Sequence, residues 1–228
     1  MNPYEQHYRQ LLANGAVAWA GEGYLRAKKQ QEEIFQWLRT HHYLPEPGAP
    51  VLEMGCGNGA MAAQSLAEQG YSVWGVDWSE TAIEWAEKRF QQAGLTATFL
   101  VGNVCHIDRC QAATFELIID GSCLHCLIDD DRQRFFAEVR RLLSPEGRFV
   151  IGSMCGTPRH SADIAAYDPC SHHLWKAGKP WRTLKPLPDL RREVESAHFT
   201  VEAVSVNENA WWDHATIVCS QQKDRKST

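Results

Sequence analysis

Apolar and polar positions follow two different periods along the chain, and the switches between them predict its elements. Residues 24–40 carry helix formers with Ile34, Phe35 and Leu38 on one side, and the breaker cluster LPEPGAP at 44–50 closes that segment. Short apolar runs then take turns with amphipathic stretches. VLEM (51–54) precedes a helix over 60–69 stopped by Gly70; YSVWGVD (71–77) precedes a helix over 80–92 stopped by Gly94; TATFLVGN (96–103) follows. FELIID (115–120) leads to a helix whose Phe135, Val139, Leu142 and Leu143 fall at i, i+4, i+7 and i+8, with Asp129, Asp130 and Asp131 at its start. The turn SPEG (144–147) enters RFVIGSM (148–154), and 155–187 reads as a long irregular insert rich in Pro, His, Trp and Lys. The chain closes with a helix carrying Leu190, Val194 and Ala197, strands near VEAVSVN (201–207) and HATIVCS (214–220), and a polar tail, QQKDRKST (221–228).

Alternating strands and helices predict an α/β fold, a parallel sheet with helices on both faces joined by right-handed crossovers. A final helix followed by two adjacent strands predicts an antiparallel closure of that sheet. With 228 residues, 44% of them hydrophobic, the chain suits a single domain able to bury a core. Within it the pattern separates a helical N-terminal segment (1–49), a core (50–154), the insert (155–187) and a C-terminal helix with strands (188–222).

Charge narrows the partners. With 23 basic against 28 acidic side chains, net −5, the chain has no global field for nucleic acid or an anionic membrane. Its N-terminus, MNPYEQHYRQ, lacks the basic and then apolar run of a signal peptide, and no run of about 18 apolar residues occurs, so a cytoplasmic location is expected. The eight cysteines then read as reduced thiols.

The chemistry begins where VLEMGCGNGAMAAQ (51–64) breaks from a strand into glycines and re-enters a helix. Gly55, Gly57 and Ala60 fit the spacing G-x-G-x-x-A, and Asp77 lies about 20 residues past the first glycine, so a nicotinamide dinucleotide is one candidate ligand. A P-loop is excluded, because no Lys-Ser or Lys-Thr follows. Glu53, two residues before Gly55, suits a cationic ammonium better than a pyrophosphate, and Gly59 extends the bare backbone to G-x-G-x-G.

Glu53-Met-Gly55-Cys56-Gly57-Asn-Gly59, Asp77 at the end of the second strand and the LSPEG turn at 143–147 together resemble the class I S-adenosylmethionine (SAM)-dependent methyltransferases of the small-molecule branch. The resemblance covers about residues 50–154, and the last 40 or so by pattern only. It implies a Rossmann-like, doubly wound, seven-stranded mixed sheet with six parallel strands and one antiparallel. It also implies SAM as cofactor and S-adenosylhomocysteine (SAH) as product. Glu53 and the loop Gly55, Cys56, Gly57 and Gly59 would hold the methionine moiety, and Asp77 would accept both ribose hydroxyls. Asn103, where the family often has Asp, would meet the adenine amino group, with Trp78 and Val104 as apolar walls. Trp78 reads equally as core packing, and Asp77 or Ser79 as the cap of the helix that follows.

IIDGSCLHCLIDDDR (118–132) follows the fourth strand, at the sheet edge where such folds keep their chemistry, and the resemblance makes it a motif bordering the substrate. Asp120 and His125 are the candidate catalytic residues, Asp120 also facing the cofactor. His125 is the best-placed base for a neutral oxygen or nitrogen acceptor. A thiolate or oxyanion would need no base and would instead use cations such as Arg159, Lys176, Lys179 or Arg182. Tyr8, Trp19, Tyr24, His125, Arg159, His160 and Arg182 are the expected acceptor contacts, under a lid made by the insert and the N-terminal segment. Cys123-Leu-His-Cys126 spells C-x-x-C, but no second pair at ligand spacing follows, so no metal is assigned. The expected acceptor is a small molecule, with a thiol or a chalcogen or metalloid oxyanion the more specific guess. An NAD(P)-dependent oxidoreductase and a non-catalytic SAM- or metal-binding protein remain the alternatives.

Overall fold

The computed structural model describes residues 3–223. The predicted alternation is present: β1 (Pro50–Met54), α3 (Ala62–Glu68), β2 (Ser72–Asp77), α4 (Glu80–Ala93), β3 (Thr98–Val101), β4 (Phe115–Asp120), α5 (Asp130–Leu142), β5 (Leu143–Cys155), α7 (Leu187–Ser196), β9 (Phe199–Asn207) and β10 (Asp213–Gln221). Ahead of it stand α1 (Pro3–Ala13) and α2 (Tyr24–Thr40). The main sheet has seven strands in the order β3-β2-β1-β4-β5-β10-β9. Only β10 runs antiparallel to its neighbours, so the sheet has six strands in one direction and one reversed.

The middle of the sheet is dry on both faces, as buried parallel strands require. Leu52, Met54, Val76 and Ile118 pack with Phe135, Phe149 and Phe199 under α5 and α7. Val51, Val73 and Leu117 pack with Phe35, Leu38 and Leu66 under α2 and α3. Val51 pairs with Val73 on one side and Leu117 on the other, so β1 ends level with β2 and β4 and carries its loop into the crevice between them.

Four sequence expectations change. The helical N-terminal segment holds a second helix, α1, ahead of the one placed over 24–40; Pro3 opens it, a position where the missing N–H costs nothing. α5 ends at Leu142, and Leu143 instead starts β5: the pairing with β4 jumps from Phe115↔Leu143 to Leu117↔Arg148, so the SPEG residues bulge out of the strand. The insert is not irregular. It folds into α6 (Ser161–Ala166) and a three-stranded antiparallel sheet of β6 (Tyr167–Asp168), β7 (His173–Lys176) and β8 (Lys179–Thr183), with Leu174 and Leu184 buried against Met154. The polar tail begins inside β10, which runs to Gln221, while 224–228 lie outside the described residues.

Candidate active site

A cavity of about 570 Å³ opens at the carboxyl ends of β1, β2 and β4, beneath α1 and beside β8. Its floor is the glycine loop. Gly55 (φ +75°) and Gly57 (φ +54°) hold backbone conformations that disfavour side chains, and both are also sterically closed. A Cβ at Gly55 would lie 2.7 Å from that of Cys123, and one at Gly57 would lie 2.5 Å from the Tyr8 hydroxyl oxygen. Gly59 does not line the cavity as expected; it packs against Phe90, Phe99 and Ala86 beneath the loop. Cys56 does line it, with its sulfur turned back toward Gly75.

Three carboxylates, all buried, surround this floor. Glu53 accepts the Ala63 N–H at 2.7 Å from the start of α3, yet burial drives its carboxyl up to about 8, with Asp77 and Asp120 adding repulsion. Asp77 accepts the Gly57 N–H at 2.9 Å on one oxygen and the Ser79 N–H at 2.9 Å on the other, while burial raises its pKa. Ser79 takes the capping role, its hydroxyl accepting from Ala82 N–H at 3.1 Å. Asp120 uses Oδ1 for the N–H groups of Cys123 (2.8 Å) and Leu124 (3.0 Å). Its Oδ2 is buried with no hydrogen-bond partner among the described residues, and burial lifts the group to about 6. Such a cluster attracts a cation, because each acid ionises more easily once positive charge arrives.

On one side stand Trp78, Val104 and Asn103. Trp78 is 61% exposed, which removes the core-packing reading. Asn103 differs from expectation in that its Oδ1 already accepts the Cys105 N–H at 2.9 Å, leaving its amide nitrogen end as the donor available to a ligand.

On the other side the structure gathers Tyr4, Tyr8, Trp19, His125, Cys126, Arg182 and His214. Trp19 packs against Tyr8 at 5.0 Å and His7 at 4.3 Å between ring centroids. Arg182 donates to the Tyr4 hydroxyl at 3.0 Å and lies 4.3 Å from the Trp181 ring centroid; no carboxylate pairs with it among the described residues. His125 is a poorer base than its position suggests. Burial, with Arg182 and His214 nearby, holds its pKa well below the usual range, and Nδ1 accepts the Met154 N–H at 3.4 Å, which puts the ring proton on Nε2.

Three expected acceptor contacts fall elsewhere. Arg159 is tied to Asp213 at 2.7 Å and 2.9 Å, His160 is exposed at the start of α6, and Tyr24 lies at the start of α2 outside the cavity lining. Lys176 and Lys179, also candidates, sit on the hairpin of the small sheet, again outside the lining. The thiols of Cys123 and Cys126 are pushed up by burial and so stay protonated at neutral pH. No group of three or more His, Cys, Asp or Glu side chains is arranged to hold a metal among the described residues. Sequence reasoning missed Tyr4 of α1, Gln30 and Gln31 of α2 and His214 and Thr216 of β10, all on the lining. Pro3 followed by Tyr4, Tyr8 and Leu11 at helical spacing was the available signal for α1.

The fold, with its glycine-floored crevice, is that of the class I SAM-dependent methyltransferases. Residues 51–147 match the family model described as a methyltransferase domain. The chain is 30% identical over 156 residues to the 2-heptyl-1-hydroxyquinolin-4(1H)-one methyltransferase of Mycobacteroides abscessus, covering 68% of this chain and 60% of that protein. It is 27% identical to the ubiquinone biosynthesis O-methyltransferase of Actinobacillus pleuropneumoniae, over 77% of this chain and 68% of the relative. Other relatives are longer, down to a Leptosphaeria maculans highly reducing polyketide synthase of which the chain spans 7%. Among solved structures, a Burkholderia thailandensis 1,6-didemethyltoxoflavin-N1-methyltransferase with bound 1,6-didemethyltoxoflavin and S-adenosylhomocysteine superposes with TM-score 0.64 at 21% identity, covering 96% of this chain and 91% of that one. A SAM-dependent methyltransferase from Methanosarcina mazei gives TM-score 0.67 at 22% identity, over 82% and 98%. No helix among the described residues is long and apolar enough to cross a membrane.

Proposed function

We propose that the protein transfers a methyl group from SAM to a small-molecule acceptor. The observation that carries this reading is the set of three buried, cation-seeking carboxylates, Glu53, Asp77 and Asp120, around a glycine floor. A ligand with an ammonium and a sulfonium fits that field. An anionic dinucleotide would meet repulsion there, which weighs against the nicotinamide alternative.

SAM, when bound, supplies a methyl carbon already activated by its positive sulfur. The chain's residues then have to bind, orient and dry the reactants. Glu53 would face the ammonium of the methionine tail, and Asp77, fixed by two backbone N–H groups, would offer its remaining lone pairs to the ribose diol. Trp78 and Val104 would flank the adenine. Asp120 Oδ2 is a buried acceptor awaiting a donor or a cation. Tyr4, Tyr8 and Trp19 close the acceptor end against water.

At that end His125 is a donor through Nε2 rather than a base, whereas Arg182 is a cation with no carboxylate partner among the described residues. Both features favour an acceptor that arrives ionised, a thiolate or an oxyanion, over a neutral amine or alcohol. The acceptor's lone pair forms the new bond to carbon as the C–S bond breaks, its electron pair staying on sulfur; the two opposite charges cancel and no proton moves. Relatives named for a hydroxyquinolone and for ubiquinone biosynthesis support a small-molecule acceptor.

Incubation with methyl-labelled SAM and a metabolite extract fractionated by anion exchange tests this. Label should enter a small molecule that loses one negative charge on methylation. Calorimetry with SAM, SAH and NADH distinguishes the alternatives: binding of NADH but not SAH would overturn the proposal, and SAH binding without label transfer would leave a non-catalytic SAM-binding protein.

A further inference from the structure

Tyr4, Tyr8, Ala18, Trp19 and Ala20 of the N-terminal segment line the cavity, and its buried apolar residues, Tyr8 and Ala18, stand outside the core clusters of the two sheets. The only buried side chains of α1 are Glu5 and Tyr8. An 11-residue helix is marginal by itself in water, so α1 depends on specific contacts. The principal one is Glu5. Its carboxylate, 9% exposed, accepts the Ser79 hydroxyl at 2.6 Å, the Thr81 hydroxyl at 2.6 Å, the Thr81 N–H at 3.2 Å and the Arg9 Nε–H at 2.6 Å. Ser79 and Thr81 form the start of α4, so the carboxylate also faces the positive end of that helix.

The contact closes a circuit around the ligand floor. Ser79 donates its N–H to Asp77, Asp77 accepts the Gly57 N–H, and Gly57 lies beneath the hydroxyl of Tyr8, which stands one helical turn after Glu5 on α1. A second, weaker fastening follows α1, where Val17 C=O accepts from Asn58 Nδ2 at 2.8 Å and from Arg89 at 2.5 Å.

We propose that Glu5 is the clasp of a lid. Its carboxylate holds α1, and with it Tyr4 and Tyr8, over the cavity, and a ligand enters or leaves when the clasp opens. Glu5 acts through these two tyrosines and is a positioning residue. The ligand used to probe it rests on the SAM reading above; the clasp itself rests on the Glu5 contacts.

The test uses the full chain and two variants. Glu5→Gln removes the charge, and Thr81→Val removes one hydroxyl donor while leaving the Ser79 cap of α4 in place. Hydrogen exchange should quicken about tenfold or more in residues 3–13 of Glu5→Gln with β1 and β4 unchanged, and SAH release, followed by stopped-flow tryptophan fluorescence, should quicken by a similar factor. Thr81→Val should show a smaller effect of the same kind, and the double variant should fall short of the product of the two. Unchanged exchange in 3–13 would overturn the clasp, as would faster exchange spread evenly over the sheet. Faster exchange in α1 with unaltered SAH release would overturn its role as a gate. If the wild-type chain fails to bind SAH in calorimetry, the SAM reading fails, and exchange in α1 still decides the clasp.

Discussion

Gly57 gives its backbone N–H to Asp77 Oδ2 at 2.9 Å, joining the loop after β1 to the end of β2. The left-handed turn at Gly57 aims the N–H at that carboxylate while the Tyr8 hydroxyl closes over the other side. Gly57→Ala therefore meets two costs. A Cβ at positive φ is strained by about 1 kcal/mol, and it would also displace Tyr8. The expected outcome is a loss of SAH affinity of about tenfold or more, with a fall in Tm of a few degrees, read by calorimetry. Wild-type affinity in this variant would show that no ligand lies on the loop.

Glu53 predicts an unusual response to pH. Its folded pKa of about 8 stands above the 4.5 of an ordinary glutamate, because burial and the neighbouring acids oppose its ionisation. Its neutral form favours folding, so the ligand-free protein loses stability as pH rises from about 4.5 to about 8. Glu53→Gln should narrow that loss in urea denaturation at pH 8 and change little at pH 4. A ligand that sets an ammonium against Glu53 reverses the balance by stabilising the ionised form, so binding of SAH through its ammonium at pH 7 should release a proton. Calorimetry in two buffers of different ionisation enthalpy reads the release, and Glu53→Gln should abolish it.

The strands and helices of the sheet were legible because their signals are local: apolar runs of strand length, glycine stops after α3 and α4, and the Ser79 cap. The glycine loop and its acids were legible for the same reason, since Glu53, Gly57 and Asp77 are specified by spacing along two adjacent strands. The acceptor end was legible only in part. Tyr8, Trp19, His125 and Arg182 were expected together and share the cavity lining, but Tyr4, Gln30 and His214 come from three separate elements, and nothing in their local sequence says that they meet the others. Arg159 illustrates the converse, a cation in the right segment that pairs with Asp213 of β10 instead. The insert escaped because its strands are two to five residues long, too short for a period to register.

Arg182 and His125 make opposite predictions about the chemistry. If the acceptor arrives as an anion, Arg182→Ala should raise its KM about tenfold or more while SAM affinity stays nearly unchanged. His125→Gln should then retain kcat within about tenfold, and the pH profile should lack an acid limb near 6.5, because the imidazole is neutral well below that value. A wild-type profile that falls below pH 6.5 and flattens in His125→Gln would restore histidine as the base and a neutral acceptor with it.

Acid should separate the lid from the core. Glu5 is pulled down from 4.5 to about 2 because its hydrogen bonds from Ser79, Thr81 and Arg9 outweigh the cost of burial. Its stabilising contribution is complete above about 4.5 and is lost as pH falls toward about 2. Asp77, the acid that faces Glu5 from β2, loses its repulsion as it protonates, so the loss belongs to Glu5 itself. Glu53 and Asp120 have the opposite sign, since their raised pKa values make the core around them most stable when both are neutral. Lowering pH from 5 toward 3 should therefore expose Trp19 and speed exchange in α1 before any loss of sheet structure. Tryptophan fluorescence against far-ultraviolet circular dichroism measures the gap between the two transitions. In Glu5→Gln the early transition should disappear, because the charge that acid removes is already absent, and coincident transitions in the wild type would show that α1 is not fastened by that carboxylate.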